Sequence, residues 1–328
     1  MSENRESPVT GPVIALHGAY RGGNFGDMLL LGIYAKWIRE IMPGSRVILP
    51  FMHRSLSGLI DADGRGARHL LGAAALVYGG GGYFGEPDKR QTWWSFRNVL
   101  RHLPVGVIAR LRGIPIAISG VGAGPLSVPA ARRLFVLLFR WAHSATVRDR
   151  ESRGYLTSYG VSPEALTVTA DAALTLDGGD LPAEATREAQ AILAGLPGSL
   201  RIGVHVAHSI GCAGIQSLID DLAAFAAAHP EASFVYFLDE GPGRGEEYHL
   251  MKKTRLLEQK VGAPGVVVPY RTPSQVVGLI HALDLVITTK LHVGIVGCAL
   301  GRPVLAFPFH PKTRRFYEQI GAADRCIP

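Results

Sequence analysis

The sequence predicts an α/β protein of two domains, each a parallel sheet with helices on both faces. Three observations carry that expectation. Short apolar runs ending in glycine-rich turns recur along the 328 residues, and helical stretches follow most of them. That alternation builds parallel sheets. The alternation stops at a polar, turn-rich segment near the middle and then restarts, and the chain is long enough for two domains. Hydrophobic residues make up 47% and charged residues 19%, which supplies two cores and excludes a disordered or coiled-coil chain.

The elements follow in order. Val13-Ile14-Ala15-Leu16 is a first strand, breaking into Gly18-Ala19-Tyr20-Arg21-Gly22-Gly23-Asn24-Phe25-Gly26-Asp27. A helix is expected over 28–41. Strand-like runs lie at 47–49, at 73–78 before Gly79-Gly80-Gly81-Gly82, and at 115–119 before Gly120-Val121-Gly122-Ala123-Gly124. A helix is expected over 130–144. A strand at 145–147 leads into Arg148-Asp149-Arg150-Glu151-Ser152, and another lies at 167–169. Leu176-Asp177-Gly178-Gly179-Asp180-Leu181-Pro182 is the best linker candidate, giving domains over 1–178 and 179–328. The second half then predicts strands at 201–206, 233–238, 266–268, 285–287 and 304–306. Helices are expected between them at 215–228, 246–261, 274–282 and 293–299. Both halves read as Rossmann-like and are expected to face an interdomain cleft, with ligands beyond the carboxyl ends of the strands.

Composition narrows the function. The net charge is +7 and the isoelectric point is near 9.4, which favours anionic partners such as phosphorylated metabolites or acidic sugars. The basic residues look scattered, with small clusters at Arg132-Arg133 and Arg314-Arg315. No dense basic stripe with interleaved aromatics is read, so no nucleic acid is expected. Cys212, Cys298 and Cys326 stand far apart without a C-x-x-C, which fits a reducing compartment and no zinc site. The first ten residues are polar, and no uncharged apolar run reaches ~18 residues. A cytoplasmic protein is expected. Helix 130–144 carries Leu134, Leu137, Leu138 and Trp141 beside Arg132, Arg133 and Arg140. It reads as a core helix, with peripheral contact to the inner face of a membrane as the alternative.

Several motifs carry chemistry. The first glycine turn lets backbone amides and a helix N-terminus approach an anion, or is simply a tight turn with Asp27 as helix cap. It matches neither a P-loop nor the G-x-G-x-x-G spacing. Four consecutive glycines at 79–82 suggest close approach of backbone to a ligand, or local packing. Arg148 follows a strand at the cleft face and is expected as a ligand group rather than part of the core. His292 opens an apolar helix after strand 285–287 and is a candidate acid or base. In Pro308-Phe309-His310-Pro311-Lys312, Lys312 offers a point charge for phosphate or carboxylate, with His310 on the same side. His205-Val206-Ala207-His208 has no carboxylate at metal spacing and reads as structural. No metal cluster is expected.

Together these pieces resemble the polysaccharide pyruvyltransferase family. The matching residues run in order from about Gly18 to Gly321: Gly22-Gly23-Asn24-Phe25-Gly26-Asp27, Gly79 to Gly82, Gly120-Val121-Gly122, Val147 to Ser152, Asp171, Lys290-Leu291-His292 and Lys312. The resemblance implies a GT-B-like fold and transfer of pyruvate from phosphoenolpyruvate to a sugar as a ketal. It places the family's key arginine, histidine and lysine on Arg148, His292 and Lys312. Asn24, Gly26, Asp27, Gly80, Gly81, Gly122, Lys290 and His310 are the expected substrate-binding residues. Where the family usually has arginine before the histidine, this chain has Lys290. Met28 stands for an acidic residue, and Asp171-Ala172 for Asp-Pro. GT-B-like proteins often add a closing C-terminal helix, so a shortened C-terminus is expected at Cys326-Ile327-Pro328.

The chemistry fits these residues independently. Phosphoenolpyruvate is small and highly anionic, and needs two or three cations plus backbone amides. Ketal formation needs an acid–base group near neutral pH, for which His292 is the candidate. No cofactor is required beyond the donor itself. The expected partners are phosphoenolpyruvate and a glycan or lipid-linked sugar acceptor. The alternatives are a nucleotide-sugar glycosyltransferase on the same architecture, or a non-catalytic family member that binds glycan.

Overall fold

A computed structural model describes residues 11–20, 23–51, 62, 64–86, 91–206, 212–240, 246–308 and 310–327. Arg21, Gly22, Ala207, His208, Phe309 and Pro328 from the motifs above lie outside the described residues, as do 1–10. The chain divides into two compact units. The first holds Leu30–Ala172 and the stretch before Gly23; the second holds Gly23–Leu29 and Ala173–Pro328.

The first unit contains eight parallel strands: β1 (Val13–His17), β2 (Arg46–Leu49), β3 (Gly64–Arg65), β4 (Ala75–Tyr78), β5 (Gly81–Phe84), β6 (Ile116–Ala123), β7 (Ser144–Val147) and β8 (Thr167–Val168). Their order is β3-β2-β1-β4-β6-β7-β8, with β5 added along β6 through Gly81–Val121 and Phe84–Ala123. The helices are α1 (Phe25–Ile41), whose residues up to Leu29 group with the second unit, α2 (Ala67–Leu70), α3 (Gln91–Leu111), α4 (Pro129–Trp141) and α5 (Arg150–Ser158). Four of the five residues of β1 are buried, the near-continuous burial that helices on both faces impose. Phe84, Phe135, Leu138 and Phe139 fill the space beneath α4. Phe84 meets Phe135 edge-on at 5.0 Å and Phe139 at 5.2 Å.

The second unit contains five parallel strands: β9 (Leu200–His205), β10 (Ala232–Phe237), β11 (Gly265–Val268), β12 (Leu285–Thr288) and β13 (Val304–Ala306). Their order is β11-β10-β9-β12-β13. The helices are α6 (Ala183–Ala194), α7 (Cys212–Ala228), α8 (Glu246–Val261), α9 (Pro273–Ala282), α10 (Leu291–Ala299) and α11 (Pro311–Gln319). All six residues of β10 are buried. Strand order reverses between β9 and β12, and in the first unit between β1 and β4. Such switch points are where open parallel sheets bind ligands.

Some boundaries differ from the sequence expectation for identifiable reasons. Helix α1 begins at Phe25 rather than 28, because Asn24 caps it. Strand β6 runs on through Gly120, Val121 and Gly122, and β5 contains Gly81 and Gly82. Glycines expected in loops therefore lie within the sheet. Gly120, at φ +61°, sits in the irregularity between Ile118 and Val121 where β6 changes register against β7. Residues 178–180 form a short 3-10 turn inside the second unit. In α4 the apolar face is inside, with Ala131, Phe135, Val136, Leu138 and Phe139 buried, so this is a core helix. Among the described residues no helix is long and apolar enough to cross a membrane.

Phe135→Ala is expected to destabilise the first unit by about 3–5 kcal/mol, the usual cost of emptying a buried aromatic site. Urea unfolding checks it.

Candidate functional site

At the switch point of the second unit, three strand ends bring charged side chains together. Strand β10 is followed by Asp239 and Glu240, β9 ends at His205, and β12 leads to Lys290, whose backbone caps α10. Asp239 is almost wholly buried. Its Oδ1 lies 3.0 Å from His205 Nε2, and its Oδ2 accepts from Lys290 Nζ at 2.8 Å. Lys290 Nζ also donates to Glu240 Oε1 at 3.0 Å. Thr288 Oγ1 accepts from the Lys290 backbone N–H at 3.0 Å and lies 3.4 Å from His205 Nδ1. Burial alone would raise the Asp239 carboxyl, but Lys290 and His205 beside it hold it well below the usual carboxylate range. Burial alone would lower the Lys290 ammonium, but Asp239 and Glu240 push it above the ordinary lysine value. Both groups are therefore ionised near neutral pH.

This network also fixes the first turn of α1. The Phe25 N–H donates to the Asp239 carbonyl at 2.7 Å, and Asn24 pairs with Glu240 in an isolated antiparallel bridge. Asn24 Oδ1 accepts from the Asp27 N–H at 3.0 Å, and its Nδ2 donates to Asp27 Oδ2 at 2.7 Å. The cap is thus Asn24, with Asp27 three residues on and bonded back to it, not Asp27 as one sequence reading had it. Gly26 has a steric reason to be glycine: a Cβ there would lie 2.2 Å from Nδ1 of His292. The imidazole rests directly on the helix backbone.

Asp27 is where the basic residues converge. Burial raises its pKa, and the charges of His292, Lys312 and Lys290 together with the Asn24 bond lower it. Burial wins, so the carboxyl holds its proton more tightly than an exposed aspartate. His292 and Lys312 occupy the first turns of α10 and α11. His310 caps α11, its Nδ1 accepting from the Lys312 N–H at 3.3 Å.

In the first unit, Arg148 follows β7 and is buried at 8% exposure. Its Nη1 donates to Asp171 Oδ2 at 3.2 Å, and its Nε lies 3.4 Å from Asp149 Oδ2. Asp149 also caps α5, its Oδ1 accepting from the Ser152 N–H at 2.6 Å. The guanidinium lies over Gly122, where a Cβ would come within 2.7–2.8 Å of it. Arg148 is therefore buried within the first unit and not outside its core, with its guanidinium held by Asp171 and Asp149. The glycine run has its own account. A Cβ at Gly79 would meet the Tyr20 hydroxyl at 2.7 Å, one at Gly80 would meet the Tyr34 ring at 3.2 Å, and Gly81 has φ +128°. Packing of two tyrosines explains these glycines, with Gly80 and Gly81 beside Tyr34 and the β5 start.

The second unit thus gathers Asn24, Gly26, Asp27, Lys290, His292 and Lys312, with His310 adjoining Lys312. The first unit holds Gly80, Gly81, Gly122 and Arg148. Sequence reasoning missed Asp239 and Glu240, although they directly follow an apolar strand, the same position that singled out Arg148. It also found no carboxylate for His205, because Asp239 comes from a neighbouring strand. Among the described residues no cluster of three or more His, Cys, Asp or Glu side chains forms a metal cage.

Two stability effects follow. A carboxyl whose folded pKa is raised opposes folding as pH climbs above its unfolded value of ~3.9, and is neutral below it. Asp27→Asn is therefore expected to increase stability near pH 7, with the gain fading below about pH 4 in urea unfolding at both pH values. Arg148→Ala is expected to cost about 3–5 kcal/mol, because buried Asp171 loses its arginine. The double variant with Asp171→Ala should recover part of that loss. A single variant as stable as the wild type would show that the pair carries no structural weight.

A model of the polysaccharide pyruvyl transferase family matches residues 24–311. No curated protein sequence matches the chain. Among solved structures, UDP-GlcNAc 2-epimerase from Neisseria meningitidis bound to UDP-GlcNAc is 14% identical, with a TM-score of 0.62 over 96% of this chain and 86% of that one. The Methanocaldococcus jannaschii UDP-GlcNAc 2-epimerase in complex with UDP-GlcNAc and UDP is 11% identical, with a TM-score of 0.56 over 93% and 86%. HepE from Anabaena in complex with UDP and glucose is 16% identical, with a TM-score of 0.55 over 90% and 80%. At these identities the likeness is one of fold, the GT-B-like class. The family match spans nearly all of both units, and the chain belongs to the polysaccharide pyruvyl transferase family.

Proposed function

We propose that the chain transfers a pyruvyl group from phosphoenolpyruvate to two hydroxyls of a sugar in a cell-surface or exopolysaccharide precursor, releasing inorganic phosphate and leaving a pyruvate ketal. Family membership supports the reaction class. The observation that carries the site is the convergence of His292, Lys312 and Lys290 on Asp27. The first turns of α10 and α11 add backbone N–H groups that favour an anion. Lys312 supplies a compact point charge there. Lys290 is engaged with Asp239 and Glu240, so its proposed role toward substrate is to hold this end of the unit.

The chemistry assigns one proton carrier. The donor's vinyl carbon takes a proton and becomes a methyl group, while a sugar hydroxyl oxygen bonds to the adjacent carbon and loses its proton. The second hydroxyl then bonds to the same carbon as the carbon–phosphate oxygen bond breaks, and its proton leaves with phosphate. His292 is the proposed carrier, taking the hydroxyl proton and delivering one to the vinyl carbon. Asp27, across from it, holds the electrostatic balance. Arg148 enters the proposal as a donor-binding guanidinium, oriented by Asp149 and Asp171. The donor is a metabolite of the cytoplasm, which is where the proposed reaction would run.

Melting-temperature shifts separate this reading from nucleotide-sugar transfer: phosphoenolpyruvate at 100 times its Kd should stabilise the protein by about 2.7 kcal/mol. A shift with UDP- or GDP-sugars alone would favour the glycosyltransferase. His292→Gln is expected to lower kcat by about 10²–10⁴ while changing donor affinity less. Near wild-type kcat with lost donor affinity would make His292 a binding group instead.

A further inference from the structure

The positive charge of the chain is concentrated. From Gln91 to Arg148 the sequence carries eight arginines and no acidic residue, and the rest of the chain is close to charge balance. This stretch includes α3 and α4, which pack against each other. The inner face of α3 buries Ser95, Asn98, Val99, His102, Val105 and Ala109. Its outer face is apolar as well. Trp93 is 63% exposed, Phe96 46%, Leu100 70% and Leu111 79%. At ~100° per residue these four fall within about 60° of one another around the helix, and exposed Pro104 lies among them. The stripe runs the length of a 21-residue helix, about 30 Å. Arg97 and Arg101 border it on one side and Arg110 on the other. The Arg97 guanidinium stacks on the Trp94 ring at 3.2 Å.

We propose that the outer face of α3 lies against an anionic membrane surface. Trp93, Phe96, Leu100 and Leu111 enter the boundary between headgroups and acyl chains, and the arginines meet lipid phosphates. The contact is peripheral, since no described helix can cross a bilayer. Exposed Arg133 and Arg140 on α4 and Arg112 after α3 extend the basic field. Charge decides against a second copy of the chain: two-fold pairing of this face would set arginines against arginines with no acidic residue in the stretch to answer them. The leucines decide against nucleic acid, whose phosphate backbone buries no aliphatic side chain, whereas acyl chains do. The inference stands apart from the pyruvyl-transfer reading, because it concerns binding without donor or acceptor.

Flotation of the full chain with vesicles tests it. Vesicles of phosphatidylcholine with about one-third phosphatidylglycerol should carry the protein, pure phosphatidylcholine should not, and high salt should weaken binding. The triple variant Trp93→Ala/Phe96→Ala/Leu100→Ala should lose about tenfold or more of the binding with an unchanged melting temperature. Arg110→Gln/Arg112→Gln should lose a comparable share. Failure of the wild type to float with anionic vesicles overturns the proposal, as does undiminished binding by the triple variant. So does a dimer in sedimentation that the triple variant turns into monomer. Retention of a single-stranded oligonucleotide while vesicles are ignored overturns it too.

Discussion

The second unit is organised around one buried carboxylate. Asp239 sits where β10 ends, and each of its three oxygens has a close neighbour. Oδ1 faces His205, Oδ2 holds Lys290, and the backbone carbonyl takes the N–H of Phe25. Burying a carboxylate costs several kcal/mol unless close partners offset it. Here a histidine from the neighbouring strand β9 and a lysine after β12, one strand further on, do so. That places the residues after β9, β10 and β12 in fixed relation. The carbonyl then pins α1, and the capped turn Asn24–Asp27 is held with Gly26 beneath the His292 ring. Without Asp239, Lys290 would keep only Glu240, and the start of α1 would lose its anchor to this sheet.

The first unit uses the same device with different parts. Asp171 is buried against Arg148, and Gly122 exists so that the guanidinium can lie flat on β6. The two cations suit their places. Arg148 spreads planar donors toward Asp149 and Asp171, which lie on different sides of it. Lys290 concentrates its charge on one nitrogen that reaches Asp239 and Glu240, adjacent in sequence. A compact ammonium with three donors serves two neighbouring carboxylates as well as a fork would. The lysine at this family position therefore has a local structural logic in this chain.

The alternation of strand and helix was legible because burial on both faces leaves continuous apolar runs such as residues 233–238. Short strands without such runs were harder to see: β3 has two residues and β5 is half glycine, and neither was expected, although the two-residue β8 falls within the expected run at 167–169. Glycines read as loop signals proved to lie inside strands, since a sheet also needs glycine where a tyrosine or arginine crosses it. Candidate residues with a chemical signature at a strand end, such as His292 and Arg148, could be picked out locally. Asp239 could not be linked to His205, because the pairing depends on strand order rather than spacing. Helix α3 escaped notice for a different reason. With apolar residues on both faces it lacks the one-sided pattern that marks a surface helix. The concentration of its arginines emerges only when the acidic residues are located too.

Two features of this chain run against folding. Asp27 keeps a carboxyl in a place where burial outweighs the help it receives from three basic side chains. Helix α3 exposes two aromatics and two leucines on the face that solubility would fill with charges. Elsewhere the local rules agree with the fold: caps are satisfied at Asn24, Asp149 and Thr272, and the phenylalanine core under α4 is closed. In a molecule otherwise consistent, such exceptions concentrate where function opposes stability. Each exception also has a distinct physical character. The enclosed acid lies among His292, Lys312 and Lys290. The exposed stripe lies on a helix in a stretch of sequence, Gln91 to Arg148, that carries arginines and no Asp or Glu, which suits a charged surface with an apolar interior. The two lie in different units and make different demands, so selection for one does not account for the other.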